Sequence, residues 1–240
     1  MLDWFTKLEA GSELPSDAAS ELQEQGFVVL PDQIPSDRME LLTSAYTAAV
    51  ASAPGDDIRI GTTTTRVSDF VNRGAEFDAI YILPALLEAC CRVIGRPFKL
   101  SSLHARTVRP GSAAQELHLD VRRDSADWPL LAFILMIDAF RPDNGATRFL
   151  PGSHRWDAHV SGLPVDEGGQ VLACGQAGSL LVFNGSTWHG HSANRSSSAR
   201  RSLQGAFIPR DGRAGTDFGA RMTPDTRARL GPLARYVLAL

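Results

Sequence analysis

The sequence reads as a mainly β domain, a sandwich or barrel, with helices ahead of it that pack on the outside of its sheet. Three observations carry this reading. From Phe98 onward the chain consists of short runs rich in β-branched and aromatic residues, broken by turn pairs such as Asn144-Gly145, Pro151-Gly152 and Gly168-Gly169. Before Phe98 the segments have helix-forming composition and stop at glycine or proline. Strands do not alternate with helices as βαβ units require, and no linker, repeat or composition break divides the chain.

Taken in order, DAASELQEQ at 17–25 is a helix that stops at Gly26 and feeds the strand FVVL. A second helix starts with Ser36 as N-cap and runs to the breakers Pro54-Gly55. A third covers about 76–94, closed by Gly95 and Pro97. The threonine-rich IGTTTTRVSDF between them fits either a short strand or a loop beside a pocket. Seven or eight strands follow: FKLSSLHARTV, ELHLDV, LLAFILMID, TRFLP, GQVLAC, SLLVFN, STWHGHS and RRSLQGAFI. The expected organisation is one domain over 1–240: a helical part to about 97, a β core over 98–210 and a tail over 211–240.

With 240 residues, 43% of them hydrophobic, the chain can bury a sizeable core. A net charge of −3 provides no field for nucleic acid or an anionic membrane, so a small-molecule partner is favoured. The start, MLDWFTKLEAGSEL, lacks the charged and apolar regions of a secretory leader. The longest apolar run, LLAFILMI, falls far short of the roughly 20 residues of a membrane-crossing helix. Three cysteines without paired spacing argue against a disulfide framework and read as small buried hydrophobes in a reducing cytoplasm.

The chemistry concentrates in two segments. In QELHLD, side chains alternate along an extended chain, so His118 and Asp120 share one face while Leu117 and Leu119 take the other. Such a pair alone is common. The later TWHGHSANRSSSARRS adds histidines, a polar turn and an arginine that opens a strand. Two histidines and one carboxylate leave three positions of an ion open, which suits non-haem Fe(II) handling dioxygen; a structural zinc site would be closed by four protein ligands. The keto and carboxylate oxygens of 2-oxoglutarate fill two of the open positions, and O2 the third. The far carboxylate then calls for an arginine, and Arg200, sharing a face with Ser202, is the natural choice.

At these residues the sequence resembles the phytanoyl-CoA dioxygenase family of Fe(II)/2-oxoglutarate oxygenases over nearly its whole length. QELHLD looks like the family's HxD preceded by a glutamine. NGATRFLPGSHRW, 144–156, is similar to its turn-and-strand signature, and HGHSANRSSSAR, 189–200, to its distal histidine, an asparagine five residues on and an arginine eleven on. The resemblance implies a double-stranded β-helix, a cupin-like jelly roll, with amino-terminal helices on its major sheet. It implies that His118, Asp120 and His189 hold the metal, with Arg200 on the distal carboxylate of 2-oxoglutarate and Gln115 near its metal-binding end. Related halogenases replace the carboxylate ligand by a small residue, so Asp120 argues against halogenation.

Several positions compete. His191 lies on the same strand face as His189, and the spacing to Arg200 favours His189, leaving His191 to the pocket. Arg201 shares its face with Leu203 and Phe207, which favours Arg200 for the pocket. Thr147 is expected at the cosubstrate end. His104 and Arg106 alternate on one strand face and are candidates for substrate contact. Arg122, Arg123 and Trp128 follow the ligands in a loop over the site, suited to an anionic or planar substrate.

The expected function is oxidation of a small metabolite, hydroxylation by default, with desaturation or epoxidation from a different substrate pose. A non-catalytic metal- or ligand-binding protein of the same fold is the other reading; it would have no use for a 2-oxoglutarate clamp.

Overall fold

The computed structural model describes residues 3–122, 130–156 and 169–240. A helix α1 (Trp4–Glu9) precedes α2 (Ser16–Gln25), and α2 ends where Gly26 adopts φ 85° and donates its N–H to Leu22. This reversal sends the chain into β1 (Phe27–Leu30). Gly26→Ala is expected to destabilise the fold by more than about 1 kcal/mol, because a Cβ is disfavoured at that φ. It would also meet the His154 ring and the Thr187 hydroxyl. A urea midpoint equal to that of the parent would contradict this.

Helix α3 (Ser36–Ala51) corrects one expectation: Ser36 is its first helical residue, and the cap position falls on Pro35 at φ −57°, ψ 144°. The proline ring fixes φ, so the entry is set by backbone restriction and not by a side-chain acceptor. Met39, Leu42, Tyr46 and Ala49 make its buried stripe.

The threonine-rich stretch resolves into a hairpin of β2 (Ile58–Ile60) and β3 (Thr64–Val67). The helix expected over 76–94 begins only with α4 (Pro84–Ile94), and 75–77 and 80–82 form single 3-10 turns. Pro84 lacks an N–H and its ring obstructs the preceding turn, so a helix starts there but does not pass through it. Gly95, at φ 68°, closes α4.

The core strands are β4 (Phe98–Val108), β5 (Leu131–Met136), β6 (Thr147–Phe149), β7 (Val171–Ala173), β8 (Leu180–Asn184), β9 (His189–His191) and β10 (Arg200–Pro209). The strand expected over ELHLDV does not form. Only His118 pairs, in a single bridge with His189, and the N–H groups of Asp120 and Val121 both turn to the carbonyl of Gly185. Two successive donors on one acceptor take the chain out of a ladder. The tail forms α5 (Phe218–Arg221), α6 (Pro224–Arg229) and α7 (Pro232–Val237).

Seven strands make a major sheet in the order β1-β8-β5-β10-β4-β3-β2, and three make a minor one, β7-β6-β9, with every pairing antiparallel. Alternation divides the major sheet. Leu103, Phe133, Leu135, Val182 and Leu203 face the helices, in one core with Leu42, Tyr46 and Leu86. Ala132, Ile134, Met136, Leu181 and Phe183 face inward, in a second core with Phe149 and Ala173 of the minor sheet. This is the expected jelly roll, and its inner faces hold the site. Cys90 and Cys91 are buried as expected, whereas Cys174 is exposed, just past edge strand β7. Among the described residues no helix is long and apolar enough to cross a membrane.

Candidate active site

The geometry that brings the candidate ligands together is made by backbone. His118 and His189 exchange two hydrogen bonds, N to O at 2.9 and 3.0 Å, so their rings lie 4.5 Å apart between centroids. Asp120, anchored two residues on by its N–H to Gly185, carries its carboxylate between them. Oδ1 stands 3.9 Å from His118 Nε2 and Oδ2 stands 3.8 Å from His189 Nε2. One donor atom from each residue falls within 4.8 Å of the other two.

Both imidazoles are oriented from behind. His189 Nδ1 lies 2.9 Å from the carbonyl of Thr187, and His118 Nδ1 lies 3.3 Å from that of Glu116. A carbonyl only accepts, so Nδ1 carries the hydrogen and Nε2 presents its lone pair toward Asp120. Phe183, at 4.6 Å between ring centroids, and Phe149, at 5.7 Å, pack against the His189 ring. That burial pushes its pKa down to about 4, with Asp120 opposing, so the ring is neutral as a ligand must be.

Arg200 lies in the same cavity, almost wholly buried. Its Nη1 donates to Ser202 Oγ at 3.2 Å and its Nη2 to the carbonyl of Gly145 at 2.8 Å, and the guanidinium sits 4.1 Å from the Phe140 ring centroid. Its Nε has no partner, and no ion pair among the described residues includes it. Burial, then Arg106, pushes its pKa down to about 9, still charged at neutral pH. Arg201 points to the helix side, where it grips Asp138 at 2.7 and 3.0 Å and reaches Thr47 of α3. Asn194 builds the turn that delivers Arg200: its amide donates to Val108 and Ser198, and its Oδ1 accepts from Ser196.

Gln115 accepts from Arg106 Nη2 at 2.8 Å through its side chain, while its carbonyl accepts from Arg148. Thr147 pairs with His191 across β6 and β9, and both line the cavity. His191 Nε2 is 2.9 Å from Thr63 Oγ1, which ties the threonine loop to the minor sheet and directs that nitrogen away from the ligand cluster. His104 lines the cavity with its Nε2 buried and unpartnered, and burial beside Arg66 and Arg106 pushes its pKa down to about 3. Arg122 is exposed and is not among the residues lining the cavity, and Trp128 and Arg123 lie outside the described residues. Arg66 of β3 is a lining residue that the sequence did not single out. Its place follows from the pairing of β3 with β4, which puts it opposite Arg106.

The residues present fit a metal and an organic dianion. Two imidazoles and a carboxylate converge with no fourth His, Cys, Asp or Glu in the cluster among the described residues, and a buried, charged arginine without a carboxylate shares their cavity of about 280 Å³.

A jelly roll carrying this donor set defines a non-haem iron, 2-oxoglutarate-dependent oxygenase. The model of the phytanoyl-CoA dioxygenase (PhyH) family matches residues 22–202, and the chain belongs to that family. Among curated proteins it is 29% identical over 213 residues to dioxygenase trt7 of Aspergillus terreus, covering 81% of this chain and 73% of that one. It is 40% identical over 104 residues to dioxygenase cdmA of Talaromyces verruculosus, where the match spans 40% of this chain and only 35% of the relative. Among solved structures, HygX from Streptomyces hygroscopicus, with nickel and 2-oxoglutarate bound, superposes with a TM-score of 0.69 at 16% identity, over 84% of this chain and 89% of that chain.

Proposed function

We propose that residues 1–240 form one oxygenase domain that oxidises a C–H bond of a small organic molecule, by hydroxylation or by desaturation or epoxidation in another pose. The observation that carries this is the meeting of His118, Asp120 and His189 in one cavity with Arg200. His118, Asp120 and His189 would hold Fe(II), and Arg200, supported by Ser202, would hold the far carboxylate of 2-oxoglutarate, with Gln115 and Thr147 beside it. Bound there, iron, 2-oxoglutarate and O2 supply the oxidising equivalents, with release of succinate and CO2.

The chain's own residues do the rest. The carbonyls of Thr187 and Glu116 hold the ligand tautomers, and Phe149 and Phe183 keep water from His189. Phe140 and the Gly145 carbonyl keep Arg200 pointed into the cavity. His104, Arg106 and His191 line the same cavity, which supports a role for them in contacting substrate or cosubstrate. The chain's three free cysteines suit a reducing, cytoplasmic setting, and the slightly acidic charge favours a small molecule over nucleic acid as partner.

The test is an anaerobic titration of the apo-protein with Fe(II) and then 2-oxoglutarate. The parent should develop the weak visible charge-transfer band of the chelate and His118→Ala should not. Metal binding without that band would overturn the oxygenase reading in favour of a binding protein.

A further inference from the structure

Strand β4 carries one residue too many on its inner side. Leu100 and Leu103 both face the helices, so Ser101 and Ser102 fall between them where alternation leaves room for one. Against β10, Ser102 pairs with Ala206 and Leu100 with Phe207, and Ser101 is left out of that ladder. This is a β-bulge, which frees the extra residue and re-aims it. The tail uses what the bulge frees: Ser101 Oγ accepts from the Gly215 N–H at 2.9 Å, and the Ser101 carbonyl accepts from the Thr216 N–H at 2.8 Å. The Arg210 N–H on the carbonyl of Pro97 and the burial of Phe218 in the helix-side core fix the two ends of this strap, 211–217.

The strap meets the cavity at the end far from Arg200. Along β10 the inner face passes Arg200, Ser202, Gln204 and Ala206, a run of about 20 Å at the usual rise of a strand. The last layer crosses four strands, with Phe183, Ala132, Ala206 and Ser102 opposite one another in turn. It starts at His189, whose ring lies 4.6 Å from that of Phe183, and ends beside Ser101 and Gly215, which also line the cavity. Past Phe183 this layer is alanine, serine and glycine and carries no charge. One layer nearer Arg200 on β4, His104 lines the cavity with a buried Nε2 that has no partner. A broad, uncharged body with a hydroxyl for His104 fits this end.

Neither backbone nor packing requires glycine at 215. It is not among the glycines of positive φ, and an added Cβ would meet only Ser101, at an ordinary 3.5 Å. What the glycine provides is width. We infer that the strap 211–217, docked on the Ser101 bulge, is the outer wall of the substrate chamber, and that Gly215 sets the girth of the uncharged ring body admitted beside the metal site. This rests on the oxygenase reading.

The experiment is calorimetric titration of the anaerobic Fe(II)·2-oxoglutarate holoenzyme with three uncharged alcohols of rising girth, cyclohexanol, borneol and testosterone. The parent should bind them more tightly as their apolar area grows. Gly215→Leu and Gly215→Trp should weaken testosterone by at least about tenfold, while cyclohexanol affinity and 2-oxoglutarate affinity, read from the chelate band, stay within about twofold. Arg213→Trp, exposed on the same strap and not among the residues lining the cavity, should change none of these. The leucine variant carries the test if tryptophan disturbs folding. Testosterone bound by both Gly215 variants as by the parent, an equal loss for all three alcohols, or no alcohol bound by the parent would overturn the wall. Absence of the chelate band in the parent would instead overturn the oxygenase reading, and the heat of alcohol binding is measured independently of that band.

Discussion

Asp120→Ala is expected to reduce turnover below detection and to weaken Fe(II) binding by more than about a hundredfold, beyond the 10–100-fold typical of losing a residue that only supports a ligand. Asp120 contributes the one carboxylate among the three converging donors, and among the described residues it is the only acidic one lining a cavity that also holds Arg66, Arg106 and Arg200. Without it, only two imidazoles would face a dication among three guanidiniums, so both a donor and a counter-charge would be lost. The fold should survive, because the Asp120 N–H to Gly185 bond is made by backbone and the side chain is partly exposed. Iron affinity and succinate release, read together with an unchanged circular dichroism spectrum, check this. Turnover within tenfold of the parent would remove Asp120 from the site.

Arg200→Met is expected to raise the KM for 2-oxoglutarate by about 10–100-fold, the equivalent of a charged hydrogen-bonded contact, with a smaller effect on kcat. Methionine keeps much of the apolar stem packed near Phe140 and removes the cation that, among the described residues, is the only fully buried one in the cavity. The paired control is Arg201→Met. That side chain is partly exposed and grips Asp138 on the opposite sheet face, so its loss should cost no more than about 1 kcal/mol of stability and leave the 2-oxoglutarate KM unchanged. The reverse pattern would exchange the two arginines' roles.

The contrast between these neighbours was already legible in the sequence, because side chains alternate along a strand and Leu203 and Phe207 mark the buried helix side. Glycine stops at 26 and 95 and the turns at 145 and 152 were legible too, since only a narrow set of residues adopts positive φ there. The third helix was overextended because helix-forming composition continues through a proline that only starts a helix. The strand over ELHLDV was expected because its residues alternate as a strand would; its donors turn to Gly185, which no local pattern reveals.

Local chemistry therefore determined the β-rich sandwich or barrel after its helices, the HxD pair, and the spacing from His189 to Arg200, and the family resemblance of those motifs implied the jelly roll. Each depends on residues close in the chain, where alternation and turn chemistry act. Long-range pairing decided the remainder: the bridge between His118 and His189, the carbonyl of Gly145 under Arg200, and the arrival of Arg66 beside Arg106 from an edge hairpin. A strand's own residues show which face is apolar, but not which strand will lie next to it. That choice is made by the packing of the whole sheet, and it is the packing that sets Arg66 opposite Arg106 in the wall of the site.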